Sequence, residues 1–115
     1  EAGSEASLLG TVRRYRPTAI IGGSYVPMVC LNRLVRAGEL RVPEAMSVVT
    51  FEQNFRPGQW LGGVEPTSVD LSLRDIGREL ARLARMAMDG HELPARTVVP
   101  PRLTPRASVL SLPAT

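Results

Sequence analysis

The fold is decided by the stretch RVPEAMSVVTFE, residues 41–52. A polar turn containing Pro43 leads into a short apolar, β-branched run, Met46 to Phe51, which is typical of a parallel strand covered by helices on both faces. Glu52 and Gln53 follow directly and fall at the carboxyl end of this predicted strand. Ligands bind at that edge of open α/β sheets. Glu52 is therefore the first candidate for a ligand contact, and a solvated loop acid is the alternative.

The residues before this stretch predict a helix, a strand and a second helix. An apolar stripe from about Ser4 to Tyr15 indicates the first helix, which Arg16-Pro17 ends because proline disfavours helical geometry in the residue before it. Thr18 to Ile21 is then a short apolar strand that stops at two glycines. Ser24 can cap the second helix, which Gly38 ends.

The residues after it predict a loop and one well-specified helix. Residues 54–63 contain one proline and three glycines, and Trp60 either gives this loop an aromatic surface or packs onto the core. Residues 64–69 suggest a brief extended segment. Apolar residues at three- and four-residue intervals then predict a helix over residues 71–89, with a start like a capping box at Ser72 and Asp75.

The number of predicted strands is small for a complete α/β domain, even with the one that the tail adds. A last extended segment is predicted at Thr97 to Val99. Only two core strands are well defined by their sequence and the others are marginal, whereas parallel sheets need several strands and helices on both faces. We infer a piece of a larger α/β protein. The start, Glu1 to Glu5, lacks Met and the basic and apolar regions of a signal peptide.

Composition indicates an ordinary globular domain. The chain has 115 residues, 43% of them hydrophobic and 22% charged, and its apolar runs are too short to span a bilayer. A lone Cys30 cannot form an internal disulfide, which fits a reducing compartment. All 14 cations are arginine and the net charge is +3, but the arginines are spread along the chain and interleaved with acids. This pattern does not favour direct binding of nucleic acid.

Catalytic and cofactor motifs receive little support. Ser24 follows two glycines as in a nucleophile elbow, but Val26 stands where the final glycine is needed. One cysteine and one histidine, His91, cannot build a typical zinc site, although carboxylates could bind a harder cation. The chain has no lysine, so it has no phosphate-binding P-loop. We therefore expect no cofactor, no metal site and no catalytic residues.

Five segments, in this order and spacing, resemble the lactose/galactose-repressor (LacI/GalR) family of bacterial transcription regulators. The resemblance covers nearly all of this chain but only about the last third of such a regulator. The segments are Pro17-Thr18-Ala19-Ile20, Leu40-Arg41-Val42-Pro43-Glu44, Ser47-Val48-Val49-Thr50-Phe51-Glu52, Asp75-Ile76-Gly77-Arg78-Glu79-Leu80 and Arg106-Ala107-Ser108.

This resemblance implies an α/β, partial periplasmic-binding-protein-like (type I) fold with two lobes. Residues 1–63 would lie mainly in one lobe, residues 64–95 would cross to the other, and residues 96–115 would form the return segment and tail. No helix-turn-helix is present, so operator DNA would be bound only through a missing amino-terminal domain. The resemblance also implies a homodimer, a cytoplasmic location and no contact with the membrane.

The family's effector residues carry over one at a time. Glu52 occupies the position of an acid, usually aspartate, that binds sugar hydroxyls, and Gln53 follows it. Ser24 and Tyr25 stand where an Asn-Asp pair is common, and the ring of Tyr25 or Trp60 could stack on a ligand. The implied effector is a small molecule, a sugar or related metabolite.

Two alternatives stay open. One is a solute-binding protein of a transport system with the same fold, which a signal peptide in the intact gene would favour over a helix-turn-helix. The other is a fragment of an α/β enzyme, whose turnover would be abolished by Glu52→Ala.

Overall fold

The structure, a computed structural model, describes residues 2–23, 25–51 and 58–114. Three α-helices, four strands and one 3-10 turn make up this part of the chain. In order they are α1 (Ala2–Tyr15), β1 (Ala19–Gly22), α2 (Tyr25–Arg36), β2 (Ser47–Phe51), the turn Leu61–Gly63, β3 (Thr67–Asp70), α3 (Leu73–Met88) and β4 (Arg102–Thr104).

The strands form one sheet in the order β1-β2-β3-β4. β2 pairs in parallel with both β1 and β3, while β4 is antiparallel to β3. The predicted central parallel strand is thus confirmed, and it begins one residue later than predicted, at Ser47. β1 is likewise displaced by one residue from the predicted strand 18–21.

One face of the sheet carries the core. Met28, Leu31 and Leu34 of α2 are buried together with Val48 of β2, and Leu61 of the 3-10 turn joins them. Full burial of a side chain of this size contributes about 1.5–3 kcal/mol. These contacts fix α2 and the turn against β2.

The opposite face of the sheet is open within the described part of the chain. The exposed fractions of Ile21, Phe51 and Leu103 are 66%, 45% and 60%. We expected helices on both faces of β2, but the described helices cover only one of them. Parallel sheets are normally covered on both sides, so this face has the character of an incomplete layer.

The predicted helix ends are confirmed by their backbone geometry. Arg16 has a φ of 45° after α1, and Gly38 has a φ of 75° after α2. The Ser72 hydroxyl accepts a hydrogen bond from the N–H of Asp75 at 3.3 Å and caps α3, and Gly90 follows that helix with a φ of 78°. Gly38 and Gly90 adopt these positive φ values without the clash that a Cβ would cause.

The last strand lies elsewhere than predicted. Thr97 to Val99 has no regular structure, and the strand is Arg102–Thr104 instead. Pro100 and Pro101 separate the two segments, and neither proline has an N–H to donate. Beyond them the chain meets the free edge of β3, and pairing there satisfies its backbone groups.

α3 stands apart from the core. None of its residues is buried, and Leu73, Leu80 and Met88 have exposed fractions of 71%, 62% and 86%. Its exposed surface carries the ion pairs Arg78–Asp75 and Arg82–Glu79. The radius of gyration is 18.6 Å, whereas a compact domain of this length has one of about 13 Å. No residue of the apolar stripe of α3 is thus fully buried by the described part of the chain.

Candidate functional site

Most of the predicted site residues fall outside the structural description. Ser24, Glu52 and Gln53 are not among the described residues. Tyr25 is the first residue of α2, and its side chain is not described. These four residues therefore stay predictions.

Trp60 is described, and its side chain contacts both the core and an open groove. Its half-buried ring packs against the core cluster, as the alternative interpretation anticipated. It also lines an open groove of about 490 Å³ beside α2, together with Asn32 and Arg36 of that helix and residues of the 58–63 loop. Asn32 fixes this loop, since its Oδ1 accepts a hydrogen bond from the N–H of Leu61 at 3.0 Å.

A row of hydroxyl groups crosses the sheet near the carboxyl ends of β2 and β3. Thr50 of β2 is in register with Ser68 of β3, and Ser68 is in register with Thr104 of β4. Register partners project from the same face of a sheet, so the three side chains share one face. Thr50 and Ser68 are wholly buried.

The Thr50 hydroxyl has no hydrogen-bond partner within the described part of the chain. Buried polar groups nearly always have a partner, from the protein or from ordered water. The Thr50 hydroxyl, close to the sheet edge, can therefore still donate one hydrogen bond and accept another.

Asp70 is the last residue of β3 and receives two of these hydroxyls. Ser68 donates to its Oδ1 at 2.7 Å, and Thr104 donates to its Oδ2 at 2.6 Å. The hydrogen bond from Thr104 lowers the pKa of Asp70 below its ordinary value, and the bond from Ser68 acts the same way, although burial opposes both. The guanidinium groups of Arg106 and Arg102 add to this lowering. Asp70 is therefore a carboxylate at neutral pH.

Arg106 and Ser108 attach the return segment to this region. The Arg106 guanidinium donates to the carbonyl of Pro66 at 2.9 Å and to the Ser68 hydroxyl at 2.7 Å. The Arg106 N–H donates to the Thr67 hydroxyl at 2.9 Å. The wholly buried Ser108 accepts from the N–H of Thr67 at 2.7 Å. These bonds hold β4 and the residues after it in one register against β3.

The cluster around Asp70 was not predicted from the sequence. One signal was available, because Asp70 directly follows the predicted extended segment, residues 64–69, as Glu52 follows the predicted strand before it. The contributions of Thr104 and Arg106 had no local signal. They come from 34 and 38 residues further along the chain and reach Asp70 and Ser68 only in the folded sheet.

This edge is suited to binding. A carboxylate offers acceptors, and the hydroxyl groups beside it both donate and accept, which matches a ligand rich in hydroxyls. Among the described residues, no group of three or more histidine, cysteine or acidic side chains is placed to hold a metal ion. No described helix is long and apolar enough to cross a membrane.

This combination of a mostly parallel sheet and a polar carboxyl edge is that of a ligand-binding α/β protein. A family model described as a periplasmic binding protein-like domain matches residues 1–109. The chain therefore belongs to the periplasmic-binding-protein-like family. Comparison with curated protein sequences gave no significant match.

Three solved structures with a similar fold are those of transcriptional regulators. The chain has a TM-score of 0.77 and 24% identity to a LacI family transcriptional regulator from Bifidobacterium animalis subsp. lactis, covering 91% of this chain and 38% of that one. The TM-score to a LacI family regulator from Arthrobacter sp. FB24 in complex with lactose is 0.72, with 21% identity over 92% of this chain and 40% of that one. The TM-score to the xylose-binding transcription activator xylR is 0.76, with 23% identity over 99% of this chain and 30% of that one. The chain thus spans less than half of each neighbour.

Proposed function

We propose that these residues form the carboxyl-terminal part of the effector-binding domain of a cytoplasmic LacI-type bacterial transcriptional regulator. The observation that carries the proposal is the polar carboxyl edge of β2 and β3 in a chain of the periplasmic-binding-protein-like family. Glu52 follows the last residue of β2 in sequence. The likeness to regulators, including one in complex with lactose and one described as xylose-binding, supports a sugar or related metabolite as the effector.

The effector contacts that we propose are those predicted from the sequence. Glu52 accepts hydrogen bonds from effector hydroxyls, and Gln53 and Ser24 add polar contacts. The rings of Tyr25 and Trp60 give the effector a surface to stack on. No residue in this set has a catalytic role, because the module binds its ligand and releases it unchanged.

We also propose the lobe assignment: residues 1–63 mainly in one lobe, residues 64–95 crossing to the other and residues 96–115 returning. The separation of α3 from the core supports it, as does the antiparallel pair of β3 and β4, which flank α3 in the chain and run in opposite directions. The apolar stripe of α3 would then pack in the second lobe.

The mechanism that follows is a shift of population. An effector that binds one arrangement of the two lobes more tightly stabilises that arrangement. In a homodimer the two arrangements would hold the linked DNA-binding domains at different separations, and a two-fold operator is sensitive to that separation. DNA is thus a partner only through another part of the polypeptide.

A thermal-shift screen of the full-length protein tests this function. Lactose and D-xylose are the first probes, followed by other sugars, nucleosides and small metabolites, because ligand binding to the native state raises the unfolding temperature. We expect a shift with a sugar that is lost in Glu52→Ala and retained in the control Glu65→Ala, which removes an exposed acid elsewhere. No shift with any compound, or a shift that Glu52→Ala leaves intact, would contradict the proposed site.

Sedimentation and DNA binding test the remaining parts. We expect the full-length protein to sediment as a dimer and to change its affinity for operator DNA when the effector is added. A monomer, or a polypeptide whose gene encodes a signal peptide instead of a helix-turn-helix, would contradict the regulator. Turnover of the ligand would contradict the assignment as a binding module.

A further inference from the structure

The polar cluster at the end of β3 consists of Ser68, Asp70 and Thr104, and its internal hydrogen bonds leave acceptor positions on Asp70 unused. Ser68 and Thr104 each donate one hydrogen bond to Asp70, one to each carboxylate oxygen. An ionised carboxylate has about four acceptor positions, so both oxygens retain capacity. Asp70 is only partly buried, whereas Ser68 beside it is wholly buried. The carboxylate is thus held in a fixed orientation and is still reachable.

The register places Asp70 next to the end of β2, the strand that Glu52 follows in the sequence. Phe51, the last residue of β2, is in register with Val69, and Asp70 is the next residue of β3. Glu52 is the next residue after Phe51 in the sequence. Neighbouring strands lie about 4.8 Å apart, so the ends of β2 and β3 are within reach of one small ligand. This relationship rests on strand pairing alone.

The buried hydroxyl of Thr50 is an independent sign of an unfilled site. It lies in the same row as Ser68 and has no partner in the described part of the chain. The Arg106 guanidinium donates to Ser68 and to the carbonyl of Pro66, and no hydrogen bond joins it to the Thr50 hydroxyl. A ligand hydroxyl or a water molecule that bridges to the ligand would satisfy it.

We propose that Asp70 is a second carboxylate of the effector site, oriented by Ser68 and Thr104, and that it accepts hydrogen bonds from the hydroxyls of a neutral, polyhydroxylated ligand. The inference rests on the proposed function and adds a residue and a ligand class to it. An ionised carboxylate accepts hydrogen bonds and donates none, so it favours a ligand whose hydroxyls donate to it. Ser68 and Thr104 are positioning residues in this arrangement, because they act through Asp70.

Titration calorimetry on the full-length protein tests this with the sugar that gives the largest thermal shift, starting from lactose and D-xylose. We expect Asp70→Asn to weaken binding about ten- to hundred-fold, as for the loss of a charged hydrogen bond. Thr104→Val keeps the charge and removes one orienting bond, so a smaller, several-fold loss is expected. Asp75→Asn is the matched control, since it removes an exposed carboxylate on α3, and its affinity should equal that of the wild type.

The outcomes separate this inference from the proposed function. If Glu52→Ala abolishes binding and a folded Asp70→Asn binds like the wild type, the function stands and the role of Asp70 is overturned. If neither substitution matters, the proposed site itself is wrong. If Asp70→Asn does not fold, Thr104→Val decides, because wild-type affinity there would overturn the proposal and weaker affinity at an unchanged unfolding temperature would support it. Tight binding of anionic metabolites in place of sugars would overturn the ligand class.

Discussion

The hydroxyl of Ser108 donates a hydrogen bond to the carbonyl oxygen of Val48, which lies 60 residues earlier in the chain. The N–H of Val48 donates in return to the carbonyl of Ser108 at 2.8 Å. The same hydroxyl accepts from the N–H of Thr67 at 2.7 Å. One wholly buried side chain therefore joins the return segment to both β2 and β3. A hydroxyl serves here because it donates and accepts at once.

Ser108→Ala should destabilise the fold. The substitution leaves the N–H of Thr67 without its acceptor in a buried position, and such a loss costs about 1–3 kcal/mol. Urea denaturation measures the free energy of unfolding. Ser111→Ala, which alters an exposed serine three residues further on, is the control and should change that free energy by less than about 0.5 kcal/mol. Equal midpoints for the two variants would refute the role of Ser108.

Thr50→Val should leave stability unchanged or raise it. Valine has nearly the shape of threonine, and the replaced hydroxyl is buried without a partner in the described part of the chain. Thr67→Val is the contrasting variant, since the Thr67 hydroxyl donates to the carbonyl of Arg106 and accepts from its N–H. The free energy of unfolding of Thr67→Val should be lower than that of the wild type by about 1–3 kcal/mol in the same denaturation experiment. A loss of that size for Thr50→Val would show that its hydroxyl is satisfied in solution.

The contribution of Asp70 to stability should disappear in acid. Its pKa is lowered in the folded state, so the folded protein binds a proton less readily than the unfolded chain. The stabilisation is complete above the ordinary aspartate pKa of about 4 and is lost as the pH falls through the lowered folded value.

The unfolding midpoint of Asp70→Asn should therefore approach that of the wild type as the pH is lowered from 7 to 3. Thermal unfolding across this range measures the effect. Asp75→Asn, which removes the same charge from an exposed position, controls for net charge. A constant difference between wild type and Asp70→Asn would count against a stabilising carboxylate.

The 115-residue chain, isolated by itself, should self-associate. β1 is an outer strand of the described sheet, and Ile21 on it is 66% exposed. Unpaired strand edges and open apolar faces pair with other copies. Ile21→Lys places a charge on this edge and should shift sedimentation towards the monomer, while Val98→Lys, in the irregular segment before β4, should not. A monodisperse monomer of the unsubstituted chain would contradict the prediction.

Asn32→Ala should loosen the loop that carries Trp60. The substitution removes the acceptor of the Leu61 N–H, and Leu61 has an unfavourable positive φ of 50° that this bond helps to hold. Trp60 is the single tryptophan of the chain, so its emission reports on this loop and should move to longer wavelength. Asn32→Asp retains the acceptor oxygen and should keep the wild-type emission. An unchanged spectrum for Asn32→Ala would mean that packing alone positions the ring.

The sequence by itself determined the elements that carry their own signals. β2 is recognisable from its β-branched run, and α3 from its apolar spacing, its cap at Ser72 and the glycine at position 90. Each of these signals acts within a few residues, so it does not depend on the rest of the fold. The same holds for Glu52 as a candidate, because a position just after a parallel strand is a property of the local sequence.

Only the tertiary structure decided which segment became the fourth strand, and which side chains joined Asp70. Arg102–Thr104 has no stronger strand pattern than Thr97 to Val99, and it is a strand because the edge of β3 lies beside it. Ser108 looks like any polar residue of a tail, yet it is wholly buried. Such contacts join residues 34 to 60 positions apart. They depend on hydrogen bonds that become available only when distant strands meet, and no local pattern records them.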